Sequence, residues 1–411
     1  MMRFARSLLV ALFIVSFAGC DILNTSHNAT ENRELPRPLS EQELNIAEGS
    51  NNFSFQLMKT LREKEQGKNF FVSPLSISTA FGMVLNGAEG DTFDQLREFF
   101  GHSGMTRNQI NEAYKGLIDL LINLDSDVIM KIANSNWVRQ GFEINTDFLD
   151  DNREYFNAEV RQLDFSDPSA PDVINGWIED NTEGLIKKMI NRIDPEMVLY
   201  LINAIYFKGD WTVPFDPDKT REAPFFTADG GTIEVSMMEN RDNYRYYRDE
   251  TWTAVDLWYG QAGYSFTALL PTETPASGDS LPDLTAEQFS AVTSNLNEKK
   301  LTLQMPRIEI DYKIDKFKQE LINMGLDLPF DRVDANLSRI SKSVKTYISE
   351  VGHRAVIKLD EKGTEAAAVT TVGVEAISLN QVRLDRPFLF FIRENSTNTI
   401  LFMGSYTGVS D

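Results

Sequence analysis

From residue 40 onward the apolar and polar positions follow two different periods, and the change of period organises the chain. "SEQELNIAEGSNNFSFQLMKTLREKE" opens with Ser40 and Glu43 in capping-box spacing and then sets Ile46, Phe53, Phe55, Leu57 and Leu61 along a helix. "STAFGMVLNGAEGDTFDQLREFF" predicts a buried helix, a glycine-containing turn and a second, amphipathic helix. Later stretches, "MKIANSNWVRQ", "VLYLINAIYFKGDW", "YSFTALLP", "LTLQMPRIEI" and "RPFLFFI", are rich in β-branched and aromatic residues and read as strands. Helices come mostly first and strands mostly later, which argues an α+β fold around large, mainly antiparallel sheets. No repeat and no Pro/Gly/Ser-rich linker interrupts residues 41–411, so one large domain is expected there.

One segment suits neither period. "EKGTEAAAVTTVGVEAISLN", residues 361–380, has no aromatic residue and no proline, and after Lys362 its only charges are Glu365 and Glu375. With Thr364 taken as inward, a period of two puts Thr364, Ala366, Ala368, Thr370, Val372 and Val374 on one uncharged face. Glu365, Ala367, Val369, Thr371, Gly373 and Glu375 fall on the other. That first face can be buried as a strand, yet its side chains are too small to nucleate one, and Ala and Gly weaken strand propensity. The residues alone leave two readings, an exposed loop and an inserted strand.

The first twenty residues, "MMRFARSLLVALFIVSFAGC", place Arg3 and Arg6 ahead of an apolar run too short to cross a bilayer of about 30 Å. Residues 1–19 read as an export signal of the bacterial lipoprotein type. Its ending, Ala18-Gly19-Cys20, resembles a lipobox, with Phe17 where leucine is usual; Cys20 would be acylated and become the new N-terminus. A plain secretory signal is the alternative. Cys20 is the sole cysteine, so no disulfide forms within the chain, and a lone exported thiol otherwise lacks a partner. Residues 20–40 are polar, carry two prolines and read as a flexible tether.

Charge then narrows the partners. With 40 basic and 61 acidic residues the net is −21; without Arg3 and Arg6 it becomes −23. Nucleic acid and anionic lipid surfaces are repelled by such a chain. Catalysis finds little support: there is no Gly-x-Ser-x-Gly elbow, no His-Glu-x-x-His and no phosphate-binding glycine loop. Of three histidines, His27 lies in the tether, His102 follows a glycine, and His353 sits in "ISEVGHRAVIKL", where a structural role inside a sheet is expected. No enzyme activity and no cofactor are expected.

"LDEKGTEAAAVT" resembles the reactive-loop hinge of serpins, and six further stretches agree with it in order along the chain. "NFFVSPLSISTAFGMVLNGAEGDT" carries Asn69, Ser73, Pro74, Ser76, Gly87 and Thr92 of the family pattern, and "INGWIEDNTEGLIKKMI" follows at 174. "LINAIYFKGDWTVPF" supplies Asn203 and Trp211, "ANLSRI" and "HRA" recur, and "DRPFLFFIRENSTNTILFMG" resembles the C-terminal signature.

The resemblance implies a large, mainly antiparallel central sheet, two further sheets, about eight or nine helices and an exposed reactive loop over about 361–384. It also implies a suicide inhibitor of serine proteases, whose loop is cleaved and then inserts as a strand while the protease is still acylated. On this reading the hinge comprises Glu361, Gly363, Thr364, Glu365, Ala366, Ala367 and Ala368. Ser73, Ser76, Asn203 and His353 match the polar cluster that lets the sheet open, and Trp211 matches the position above it. Fourteen residues past Gly363 the reactive bond falls between Ile377 and Ser378, which suits an elastase-like or subtilisin-like protease; Ala376 and Leu379 are alternatives, and a papain-like enzyme is a weaker one. The helix that binds heparin in some members corresponds to about 105–125, where "TRNQINEAYKGLIDLLINLDSD" offers only Arg107 and Lys115, so no polyanion is expected. A monomer is expected, with a target protease as partner and a membrane reached through the lipid. The runner-up is a non-inhibitory serpin acting as a chaperone or binding protein.

Overall fold

A computed structural model describes residues 33–273, 281–364 and 380–409. Ser40 caps α1 (Glu41–Glu65) through the reciprocal bonds with Glu43 that the spacing predicts, and Ile46, Phe53, Leu57 and Leu61 are buried along it. β1 (Phe70–Val72) leads into α2 (Pro74–Leu85), whose first turn is set by Pro74 and capped by Ser73. α2 is apolar almost all round because it lies inside the molecule. The glycine turn separates it from α3 (Gly90–Phe99), and a second capping box, Thr106 with Gln109, starts α4 (Arg107–Ile122).

The chain then alternates through β2 (Val128–Arg139), α5 (Thr146–Phe156), β3 (Glu159–Leu163), α6 (Ala170–Asn181) and β4 (Leu199–Asp210). β5 (Arg221–Phe226), β6 (Thr232–Arg248), β7 (Trp252–Tyr259), β8 (Tyr264–Pro271), α7 (Ala286–Ser294), β9 (Asn297–Pro306), β10 (Ile308–Lys313) and α8 (Phe317–Asn323) follow. The last elements are β11 (Arg354–Leu359), β12 (Gly363–Thr364), β13 (Gln381–Arg383), β14 (Phe388–Glu394) and β15 (Ile400–Tyr406). The described residues thus hold eight α-helices among mainly antiparallel strands. None of those helices is long and apolar enough to cross a membrane.

Two hydrogen-bonded sheets result. A nine-stranded sheet runs β1-β15-β14-β8-β7-β6-β9-β13, with β5 also on β6; a six-stranded sheet runs β10-β11-β12-β4-β2-β3. The two further sheets that the family resemblance implies run together here because β6 is long enough to join them: it pairs β5 at one end and β7 at the other. "LTLQMPRIEI" differs from its reading as one strand. β9 ends at Pro306, which has no N–H to continue the ladder, and the chain crosses at Arg307 into β10 of the other sheet. The main core lies between the two sheets around α1 and α2, and a smaller one, with Trp137, Ile174, Trp177, Ile178 and Ile202, seats α6 on the outer face of the six-stranded sheet.

Candidate functional site: the loop base and the sheet beneath it

β11 ends in a turn closed by Asp360, whose side chain accepts the Lys362 N–H at 2.9 Å and whose own N–H donates to the Gly363 carbonyl at 2.9 Å. The chain reverses there into β12. Gly363 has φ of 151°, and a Cβ at that position would stand 2.1 Å from the Gly209 carbonyl oxygen, so only glycine fits between the strands. Gly363 pairs with Asp210 and Thr364 with Gly209 on β4, while Thr364 pairs with Leu359 on β11. β12 is therefore two residues of strand already seated between β4 and β11. Among the described residues no other pairing joins those two strands.

Three anchors hold this short strand. The Thr364 side chain is buried, with its hydroxyl 2.8 Å from the Tyr259 hydroxyl. Trp211 stacks on Tyr259 with ring centroids 4.4 Å apart, and its indole N–H donates to the Asp360 carbonyl at 2.9 Å. Glu361 is buried and accepts from Arg307, with Nε at 3.0 Å and Nη2 at 2.7 Å, and from the Thr220 hydroxyl. Burial by itself would push the Glu361 carboxyl up, but those donors outweigh it and leave it below the usual range.

A second polar cluster lies lower on β4. The Ser76 hydroxyl donates to the Asn203 side-chain oxygen, and Asn203 donates to Asn134 of β2 at 2.6 Å. Ser73 donates its N–H to His353 Nε2 at 3.0 Å and its hydroxyl to the Leu401 carbonyl at 2.6 Å. His353 therefore serves as an acceptor at Nε2, and burial pushes its pKa down to about 3. The cluster ties α2 to β4, to the start of β11 and to the nine-stranded sheet. Trp211 is apart from it, eight residues beyond Asn203 and just past the end of β4, in the upper group with Thr364.

Residues 48–408 match the family described as Serpin (serine protease inhibitor). This chain belongs to the serpin family. Iripin-2 of Ixodes ricinus is 32% identical over 376 residues, covering 89% of this chain and 94% of the relative. Among solved structures, the thermophilic serpin tengpin in its native state aligns with a TM-score of 0.80 at 30% identity, over 90% of this chain and 95% of that one. Thyroxine-binding globulin in complex with thyroxine aligns with a TM-score of 0.80 at 27% identity, over 89% of this chain and 100% of that one.

The serpin places Glu361, Gly363 and Thr364 at the loop base, and Ser73, Ser76, Asn203 and His353 in one bonded chain beneath it. Glu365, Ala366, Ala367, Ala368, Ile377, Ser378 and Cys20 lie outside the described residues. Sequence reasoning missed Asn134, Thr220, Tyr259 and Arg307. Asn134 carries a signal, a polar residue in the middle of a strand, whereas the other three acquire their role only through side-chain bonds to residues far away in the chain. On α4, Arg107 donates to the Leu85 carbonyl at 3.2 Å and lies over Phe93, and Lys115 lies over Tyr155. The tether differs from its expected extent: Arg33, Leu35, Arg37 and Leu39 already pack on the domain.

Proposed function

We propose that this serpin is an irreversible suicide-substrate inhibitor of serine proteases, held at a bacterial envelope by acyl chains on Cys20. The observation that carries the inhibitory reading is β12, a strand begun between β4 and β11 at the point where the loop leaves. Serpin loop insertion is a standard instance of strand addition driven by stored strain. After cleavage, β12 extends downward in the same register. Each residue of the loop then takes the β4 partner that keeps step with Gly363 opposite Asp210.

That register puts Ala366 opposite Phe207, Ala368 opposite Ile205, Thr370 opposite Asn203 and Val372 opposite Leu201, on the core side. All four are small and uncharged, as burial requires. On the outer side Glu365 falls opposite Lys208, while Val369 and Thr371 fall opposite Ala204 and Ile202 beneath α6. Insertion forms on the order of ten backbone hydrogen bonds at about 0.5–1.5 kcal/mol each, which is enough to drag an acylated protease and distort its oxyanion hole and His-activated water.

The bond between Ile377 and Ser378 directs the inhibitor toward elastase-like or subtilisin-like enzymes, and with Arg107 and Lys115 engaged on α4 no polyanion cofactor is proposed. Incubation with subtilisin and with pancreatic elastase should give an SDS-stable complex and a released peptide beginning at Ser378. Cleavage by every such enzyme with no complex would favour the alternative of a non-inhibitory serpin acting as a chaperone or binding protein, as thyroxine-binding globulin binds thyroxine.

A further inference from the structure

The segment before α1 is built into the surface at two points. Arg37 clamps the buried Glu43 carboxylate with both ends of its guanidinium, at 2.6 and 2.7 Å, and reaches the Gly116 carbonyl of α4 at 3.4 Å. Space for this clamp depends on Gly116, where a Cβ would stand 2.1 Å from Glu43 Oε1. Leu35 and Leu39 pack against the main core on either side. At the far end of the strap, the Arg33 N–H donates to the Ala262 carbonyl at 3.1 Å, its carbonyl accepts from the Ser396 hydroxyl at 3.2 Å, and its guanidinium donates to Gln261 with Asp125 at 4.0 Å.

Those partners fix which end of the molecule the chain leaves from. Asp125 accepts the N–H of Val128, the first residue of β2, and Val128 lies opposite Gly209. The turn that receives Arg33 is bonded to the same corner: Gly260 donates to the Asp210 carbonyl at 2.9 Å, and Asp210 pairs with Gly363. From Arg33 to the loop base the path is thus Ala262, Gly260, Asp210, Gly363. The opposite end of β2, where Val138 faces Leu199, is ten residues away, about 33 Å at strand rise.

We propose that residues 33–39 form a strap that fixes the exit of the N-terminal segment at the loop-base pole, so that the anchored inhibitor turns its reactive end toward the bilayer. This rests on the lipid-anchor reading above. Only twelve residues lie between Cys20 and Arg33, and their thirteen steps at about 3.3–3.6 Å each reach no further than about 47 Å. The exit corner cannot stand further than that from the surface. The partner that fits is a protease acting at the membrane surface, and not one sampled far out in solution.

The test uses full-length lipidated protein in phosphatidylcholine vesicles carrying an acceptor-labelled lipid, with a donor dye on one introduced cysteine. Ser126→Cys marks the loop-base pole, and Glu196→Cys marks the opposite one, where Pro195 accepts from Arg139 at the end of β2. Energy transfer from Ser126→Cys should exceed that from Glu196→Cys by about twofold or more, given the ~33 Å of strand between the two poles. In an Arg33→Ala, Arg37→Ala background the two values should converge, because the free segment lengthens by seven residues and loses its fixed exit. Equal transfer in vesicle-bound wild type, or a larger value at Glu196→Cys, overturns the orientation while leaving the anchor in place. Wild type that fails to fractionate with membranes overturns the anchor and the orientation together.

Discussion

Thr364 carries the tightest constraint at the residue scale. Its side chain sits inside the sheet before any cleavage, against the Tyr259 hydroxyl and opposite Gly209. Thr364→Arg would have to bury an unpaired guanidinium there, at a cost on the order of several kcal/mol, or expel β12 from between its neighbours. Under the proposed mechanism either outcome removes the start of the inserted strand without touching the proposed reactive bond. The variant should be cut by subtilisin at a rate near wild type yet form little SDS-stable complex, with Thr364→Ser restoring it. Efficient trapping by Thr364→Arg would show that insertion does not start at this side chain.

Elements respond to insertion through their edges. β4 and β11 each have one flank on a paired strand, β2 and β10, while β12 covers only the Gly209–Asp210 end of β4 and Leu359 of β11. If cleavage extends β12 in register, every second amide of β4 from Leu201 to Lys208 and of β11 from Arg354 to Lys358, those facing away from β2 and β10, gains a partner. Hydrogen exchange on cleaved protein should therefore slow in these two strands and stay unchanged in β14 and β15, which are already paired on both sides. Exchange that slows nowhere in β4 after complete cleavage would rule out the insertion. The strand read as one piece across "LTLQMPRIEI" shows the same dependence on edges: a proline that cannot donate ends β9, and the next residues join a different sheet.

Over the whole molecule, two buried neutral histidines set a pH dependence. Burial pushes both His102 and His353 down to about 3. In the unfolded chain each titrates near 6.5, so between about 6.5 and 3 the unfolded state holds protons that the folded state refuses. Stability contributed by their neutral forms is complete above the unfolded value and is lost as pH falls, by about 1.4 kcal/mol per pH unit for each histidine. His102 Nε2 lies 3.1 Å from the Tyr114 hydroxyl, and Nδ1 has no partner, so a second proton there would be uncompensated. Urea midpoints measured from pH 7 to pH 5 should fall, and His102→Gln should flatten the slope; an unchanged slope would remove this histidine from the account.

The proposed attachment also belongs to the scale of the whole molecule. The acidic domain has no electrostatic attraction to anionic lipid, so the proposed membrane binding would depend on acyl chains at Cys20, of which two or more suffice. Cys20→Ser should move the protein from the membrane fraction to the soluble one, or leave the precursor uncleaved, without changing protease trapping by the purified domain. A soluble wild type with an unmodified N-terminus downstream of Cys20 would make this a plain secreted serpin.

Local signals were enough for some features and not for others. Ser40 with Glu43, the apolar row of α1, the wholly buried α2 and the β-branched runs depend on neighbours within a few residues, so the sequence determined them by itself. The spacing of Asn69, Ser73, Asn203, His353 and Gly363 likewise made the family legible. The small-residue segment was different: its composition allowed both a loop and a strand, because nothing local to it supplies the partner that would choose. For its first described residues, Gly363 and Thr364, tertiary structure supplied that partner by bringing Gly209 and Leu359 to either side of Thr364.

 The same is true of Arg307, Thr220 and Tyr259, which are unremarkable in sequence and meet Glu361 and Thr364 only because three separate segments of the chain converge at one corner. The strap is a further case: residues 33–39 read as tether because they are polar with no period, yet Arg37 finds a buried carboxylate and Leu35 and Leu39 find the core. Sequence determines what depends on the period and capping of a single element; which strand edge lies open beside the loop, and which corner the chain leaves from, depends on contacts between residues far apart in the chain, and only the packed fold decides them.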